Sequence, residues 1–73
     1  MPHLIVKLYP GRTEETKKTL AEEITKTIVR VLNSKESAIS VGIEDVAPED
    51  WDNKVYQPDV ISKMDTIYKQ TSK

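Results

Sequence analysis

The sequence predicts an α+β fold: a β-α-β unit with parallel strands, followed by a C-terminal helix. Apolar and polar residues alternate near the start of the chain and again near its middle, as in strands that bury one face. Between these two stretches, apolar residues recur at helical spacing. Two strands joined by a crossover helix form a right-handed unit in which the strands are parallel.

The first strand is predicted over residues 2–9. One of its faces is apolar, with Leu4, Val6 and Leu8. The other face is mixed, and it carries His3, Ile5, Lys7 and Tyr9. The sequence "PGR" at residues 10–12 then predicts a tight turn.

The first helix should begin near Thr13, because threonine is a good N-cap and acidic residues at positions 14 and 15 suit the positive end of the helix dipole. Asn33 is a plausible left-handed C-cap. Val29 lies off the apolar stripe of this helix, so it should be exposed or contact another subunit. The stripe itself comprises Leu20, Ala21, Ile24, Ile28, Val31 and Leu32.

A second strand is predicted over residues 38–46, with Ile39, Val41 and Ile43 facing the first helix. Lys7 and Glu44 share the opposite face of neighbouring strands, where they can pair. The last helix is predicted over residues 57–69, with a proline near its start. Tyr68 on this helix is expected to enter the core. The apolar stripe of the helix is Val60, Ile61, Met64, Ile67 and Tyr68.

The chain length of 73 residues favours a single domain, 1–73, that is marginally stable as one copy. With no cysteine and one histidine, His3, the sequence allows no disulfide and no zinc cluster. One face of the predicted parallel sheet has no second layer to cover it. A homo-oligomer is therefore expected.

The charge pattern excludes several classes of partner. The net charge is −1, from 11 basic and 12 acidic residues that are interleaved. This pattern predicts a solvated surface and no binding to nucleic acid. No apolar run is long enough to span a bilayer, and no secretory signal is expected. We therefore expect a cytoplasmic protein that does not bind membranes.

Pro2 follows the initiator methionine, and removal of Met1 would turn its nitrogen into a free secondary amine. Apolar surroundings disfavour the protonated form of such an amine and would lower its pKa toward neutrality. An amine of that kind is a good general base, and its ammonium a good acid. The alternative is structural, because proline also suits the first residue of an edge strand.

Pro2, the short strand, Gly11 with Arg12, the capped helix, the second strand and the aromatic residue beyond it together resemble the short tautomerases of the 4-oxalocrotonate tautomerase group. The resemblance implies an enzyme without a cofactor that interconverts keto and enol forms of small 2-keto acids. It implies that Pro2 is the general acid and base, that Arg12 binds the substrate carboxylate, and that Trp51 keeps the pocket apolar.

Ser40 stands where many members of that group have a second arginine on the second strand. A serine can donate a hydrogen bond to a substrate but cannot form a bidentate charge pair. The "PH" start and the long C-terminal segment are similar to dimeric members with phenylpyruvate-type activity. The resemblance thus implies monocarboxylate substrates bound by Arg12, Ser40 and Trp51, and a dimer in preference to a hexamer.

Two other functions compete with tautomerisation. A protonated Pro2 could act as the acid in hydration or dehalogenation of unsaturated acids. Alternatively, the chain could be a non-catalytic oligomeric module that uses its sheet face as an interface. Strand alternation points His3 away from Pro2 and favours a structural or interface role for it, whereas Tyr9 could reach either an interface or the site.

Overall fold

A computed structural model describes residues 1–71. Strand β1 (His3–Leu8) leads to helix α1 (Glu14–Leu32), strand β2 (Ser40–Asp45) and a C-terminal helical region. The two strands pair in parallel, in a register that sets His3 opposite Ser40 and Leu8 opposite Asp45. The predicted β-α-β architecture with a C-terminal helix is confirmed, and each strand is slightly shorter than its predicted range.

Helix α1 begins and ends at the predicted residues. The Thr13 side chain accepts a hydrogen bond from the backbone N–H of Thr16 at 3.1 Å, which caps the first turn. Asn33 closes the helix in the left-handed conformation, with φ 56° and ψ 38°. Both ends are therefore set by local sequence.

Strand β2 starts later than predicted because a 3₁₀ turn precedes it. This turn, Glu36–Ala38, includes the residue at which the strand was expected to begin. The ladder continues one step past the strand, since the Val46 N–H donates to the Leu8 carbonyl at 2.8 Å. The strand pair therefore extends as far as the beginning of the C-terminal helical region.

The C-terminal helical region begins earlier than residue 57, so that predicted start is wrong. It comprises a 3₁₀ turn (Pro48–Asp50), a π-helical segment (Asp52–Val60) and a second 3₁₀ segment (Ile61–Thr66). The turn starts with a proline, the residue that suits a first helical position. Pro58 lies inside the π-helical segment. Its ring and missing N–H disturb α-helical bonding, and wider turns accommodate both.

Little of the apolar surface is buried in one copy. Among the described residues, Val55 is the buried hydrophobic side chain, with 7% exposure. Tyr68 was predicted to enter the core but is fully exposed, because the helical region ends at Thr66. Large apolar side chains on both faces of the molecule remain accessible, among them Ile5, Val31, Leu32, Ile61 and Met64.

Within residues 1–71, no helix has both the length and the apolar character required to cross a lipid bilayer.

Candidate active site

A cavity of about 310 Å³ opens at the carboxyl end of β1. Three parts of the chain form it: the end of β1, the turn that follows, and Trp51, which comes directly after the first 3₁₀ turn of the C-terminal helical region. Its lining residues are Lys7, Leu8, Tyr9, Arg12 and Trp51. The cavity therefore combines two cationic side chains with an aromatic wall, which suits an acid with an apolar body.

Arg12 is presented to the cavity by a turn that requires glycine. Gly11 has φ of 122°, in the region that side chains disfavour. The Arg12 guanidinium then folds back, and its Nη1 donates to the Tyr9 carbonyl at 3.3 Å. This single contact leaves most of the guanidinium donors available for a carboxylate.

Tyr9 and Trp51 form the aromatic wall of the cavity. Their ring centroids are 5.0 Å apart and their planes lie at 89°. This edge-to-face geometry is favourable because the positive edge of one ring meets the negative face of the other. The contact joins the end of β1 to the start of the C-terminal helical region, so both parts of the chain help to shape the cavity.

Lys7 pairs with Asp59, not with Glu44 as the strand pattern suggested. Its Nζ lies 2.6 Å from Asp59 Oδ2, and this hydrogen bond raises the pKa of Lys7 above its ordinary value of 10.5. Glu44 lies opposite Lys7 in the strand register and adds a weaker electrostatic contribution in the same direction. The C-terminal helical region therefore reaches across to β1 and supplies the partner.

Pro2 and Ser40 lie together at the opposite end of the sheet. The Ser40 N–H donates to the Pro2 carbonyl at 3.2 Å, and Ser40 Oγ lies 2.6 Å from His3 Nδ1. His3 therefore reaches across from β1 to the hydroxyl predicted to contact substrate. The direction of this hydrogen bond depends on the imidazole tautomer.

The four predicted site residues thus form two clusters within one copy of the chain. Arg12 and Trp51 line the cavity at one end of β1, and Pro2 and Ser40 contact each other at the other end. A strand rises about 3.3 Å per residue, so Pro2 lies roughly 20 Å from Leu8 at the cavity. The prediction that all four act at a single site stays a prediction.

Sequence reasoning did not assign Lys7 or Asp59 to the site. Alternation along β1 does place Lys7 and Tyr9 on one face, and this signal could have linked both residues to the cavity. For Asp59 no local signal exists, because it lies 52 positions beyond Lys7 and meets it only through the fold.

A larger cavity, of about 630 Å³, lies between α1 and β2 and contains none of the predicted site residues. Val29, which lies outside the apolar stripe of α1, lines this groove together with Val41. Charged residues of α1 and the following turn line it as well, namely Glu22, Lys26, Arg30 and Glu36. This arrangement is typical of an amphipathic surface groove.

Comparison with known proteins identifies the family. Residues 2–62 match the model of the family Tautomerase, described as tautomerase enzyme. A probable tautomerase of Xylella fastidiosa is 40% identical over 70 residues, which are 96% of this chain and 85% of that protein. Tautomerase PptA of Cronobacter sakazakii is 38% identical over 68 residues, 92% of this chain and 90% of its own.

A solved structure agrees with these sequence matches. TomN, a 4-oxalocrotonate tautomerase homologue in the tomaymycin biosynthetic pathway, superposes with a TM-score of 0.66 at 30% identity. The alignment covers 68% of this chain and 77% of that one. The resemblance stated from the sequence is thereby confirmed: the chain belongs to the tautomerase family, of the 4-oxalocrotonate tautomerase type, and is an isomerase.

Proposed function

We propose that the chain is a cofactor-independent keto-enol tautomerase of small 2-keto acids, with the terminal amine of Pro2 as general acid and base. The observation that carries the proposal is the cavity in which Arg12 stands beside the Tyr9–Trp51 wall. It offers one fork-shaped anion binder and one apolar surface, as the carboxylate and body of such an acid require.

In the proposed reaction, Arg12 binds the carboxylate and the neutral Pro2 amine takes the proton from the 2-hydroxyl of the enol. The electrons of that O–H bond form the carbonyl, and the carbon–carbon double bond takes a proton at carbon three from the Pro2 ammonium. The amine is neutral again at the end, so no net proton is consumed. When Pro2 of one copy meets the aromatic wall of another copy, the low polarity of that wall favours the neutral amine.

Removal of Met1 is a requirement of this mechanism, since an amide nitrogen at Pro2 has no basic lone pair. The side chain of Met1 is fully exposed, so its loss removes no packing. Pro2 itself is half-buried and anchored through its carbonyl to Ser40. This anchor supports a fixed direction for the free amine, as general-base catalysis needs.

Two copies of the chain are needed to assemble the site. A small acid cannot contact Pro2 and Arg12 of the same copy across roughly 20 Å of strand. A two-fold axis that sets β1 of two copies antiparallel brings the Arg12 end of one copy toward the Pro2 end of the other. The apolar side chains left accessible on one copy, including Ile5 and Leu32, support a homodimer of this kind.

Ser40 is proposed as a hydrogen-bond donor to the substrate next to Pro2. It has one hydroxyl proton, which it can direct to the substrate while accepting from His3 Nδ1–H at 2.6 Å. A neutral donor at this position binds a carbonyl or hydroxyl oxygen, so Arg12 remains the carboxylate anchor. This division of roles favours acids with a single carboxylate.

Pro2→Ala tests the mechanism directly. Turnover of enol phenylpyruvate should fall roughly 100-fold or more, the usual contribution of a positioned general base. A chain extended before Pro2, so that its nitrogen is an amide, is the matched control: it keeps every side chain and should be equally inactive. Intact mass must first show a free Pro2 terminus in the reference protein. Full activity in either altered chain would refute the assignment.

Mixing two inactive variants tests the shared site. Pro2→Ala and Arg12→Ala chains, unfolded and refolded together in equal amounts, should regain about a quarter of the wild-type sites if each two-fold site takes one residue from each copy. Either variant refolded alone should stay inactive. Activity that never rises on mixing would show that Pro2 and Arg12 do not serve one site across two copies.

A further inference from the structure

The cavity beside Arg12 has a second cation whose charge is already cancelled within the chain. Lys7 lines the cavity, and Asp59 holds its Nζ at 2.6 Å. We propose that Asp59, by neutralising Lys7, makes this cavity selective for acids with one carboxylate over acids with two. The choice of acids as ligands rests on the proposed function.

The Lys7–Asp59 pair is more shielded than an ordinary surface ion pair. Its side chains are 25% and 35% exposed, whereas the Lys26–Glu23 pair on α1 is 74% and 65% exposed. Shielding strengthens the attraction between charges and weakens its screening by salt. A diffusing carboxylate must therefore compete with an internal one that is already bound and oriented.

The charges around the cavity match one carboxylate. Arg12 and Lys7 are the two cationic residues that line the cavity, and Asp59 pairs with Lys7, so Arg12 is the unpaired cation of this lining in the part of the chain that the structure describes. Within residues 1–71, no ion pair occupies Arg12, and it remains as the cation available to a ligand. A second ligand carboxylate near Lys7 would instead meet Asp59 and be repelled by it.

Glu44 is the residue able to replace Asp59 as the partner of Lys7. It lies opposite Lys7 in the strand register and already attracts its ammonium group. Removing Asp59 alone could therefore let Glu44 form the ion pair. The decisive variant is Asp59→Asn combined with Glu44→Gln, which leaves the Lys7 charge uncancelled while preserving the size of both side chains.

Fumarate and monomethyl fumarate form a matched pair of probes, since they share a carbon skeleton and differ by one carboxylate. Trp51 is the single tryptophan and lines the cavity, so its fluorescence reports binding of either acid. The wild-type protein should bind monomethyl fumarate more tightly than fumarate, because Asp59 repels the second carboxylate. In the double variant the affinity for fumarate should rise roughly fivefold relative to monomethyl fumarate, because a second cation becomes available.

The control removes the same number of charges elsewhere. Glu15→Gln with Glu23→Gln, both on exposed positions of α1, should leave the ratio of the two affinities unchanged. Lys7→Met makes the opposite change in charge: Asp59 then has no ion-pair partner, both acids should bind more weakly, and fumarate should lose more affinity than monomethyl fumarate. This second variant keeps the test decisive if the double variant does not fold.

An unchanged ratio in the folded double variant, or a wild-type cavity that binds neither acid, would overturn the proposal. Because the readout is binding, its failure is separable from failure of the proposed reaction. A shifted ratio without any turnover would preserve the charge rule and refute the tautomerase mechanism. Turnover by the wild-type protein with an unchanged affinity ratio in the double variant would support the tautomerase mechanism and refute the role of Asp59 in selectivity.

Discussion

The ring of Tyr9 meets the indole of Trp51 edge to face, with centroids 5.0 Å apart. Tyr9 directly follows β1, and Trp51 follows the 3₁₀ turn after β2, so the contact joins two parts of the chain that are distant in sequence. The Tyr9 carbonyl also accepts from Arg12 Nη1. One residue thus positions both the aromatic wall and the cation of the candidate site.

Trp51→Ala should destabilise the protein and impair the proposed reaction together. Loss of a half-buried indole and its edge-to-face contact should lower the free energy of unfolding by about 2 kcal/mol. Trp51→Phe retains an aromatic wall and should recover most of both properties. Urea unfolding followed by circular dichroism measures the first effect, and kcat/KM measures the second. Equal values for the alanine and phenylalanine variants would contradict an aromatic wall.

Arg12→Ala should weaken substrate binding more than it slows the chemical step. A lost charge-assisted hydrogen bond is worth about 1.5–3 kcal/mol, so KM should rise roughly tenfold to a hundredfold. Arg12→Lys should recover only part of the lost substrate affinity, because an ammonium cannot make the bidentate contact with a carboxylate. Steady-state kinetics on enol phenylpyruvate separates KM from kcat. A large fall in kcat at constant KM would assign Arg12 to the transition state instead.

Gly11→Ala should lower the free energy of unfolding, although there is room for a methyl group at this position. Among the described residues, no heavy atom outside the two adjacent residues lies within 4 Å of an added Cβ, so the cost comes from holding an alanine at φ 122°. We expect a loss of about 1–3 kcal/mol in the free energy of unfolding, and weaker substrate binding as Arg12 shifts.

Gly42→Ala is the matched control for Gly11→Ala. Its added Cβ would meet the Leu4 carbonyl oxygen at 4.0 Å, which is an ordinary contact. Denaturant unfolding should therefore show a much smaller loss for Gly42→Ala. A loss equal to that of Gly11→Ala would show that backbone strain does not govern the turn.

Lys17 should make stability depend on alkaline pH. Its hydrogen bond to Asp45 at 3.0 Å raises the pKa of Lys17 above the ordinary value of 10.5. A raised pKa contributes stability that is fully present below 10.5 and is lost as the pH rises through the higher, folded-state value. The midpoint of urea unfolding should therefore fall as the pH is raised past this range.

Lys17→Met should lose its share of that alkaline dependence, whereas Lys18→Met, at an exposed neighbouring position, should keep the wild-type profile. The measurement is the unfolding midpoint of all three proteins between neutral pH and pH values above 10.5. Identical pH profiles for Lys17→Met and the wild-type protein would show that the contact between Lys17 and Asp45 has no role in stability.

The order of elements and the ends of α1 follow from local sequence alone. Thr13 and Asn33 act through hydrogen bonds and backbone angles within a few residues, so their effects can be predicted without the fold. The alternation of side chains between the two faces of β1 is also a local pattern, so it predicts the strand without knowledge of the fold. The same reasoning misplaced the C-terminal helix, because Pro58 was assigned to a helix start and instead lies within wide π-helical turns.

Which charged groups meet, and how far apart the candidate site residues lie, depends on the tertiary fold. Lys7 takes Asp59 as its partner and not its strand neighbour Glu44, a choice that depends on how the C-terminal region crosses the sheet. The strand geometry likewise separates Pro2 from Arg12 by the length of β1. Local patterns specify which groups a segment presents; long-range contacts, which depend on the packing of whole elements, decide what each group faces.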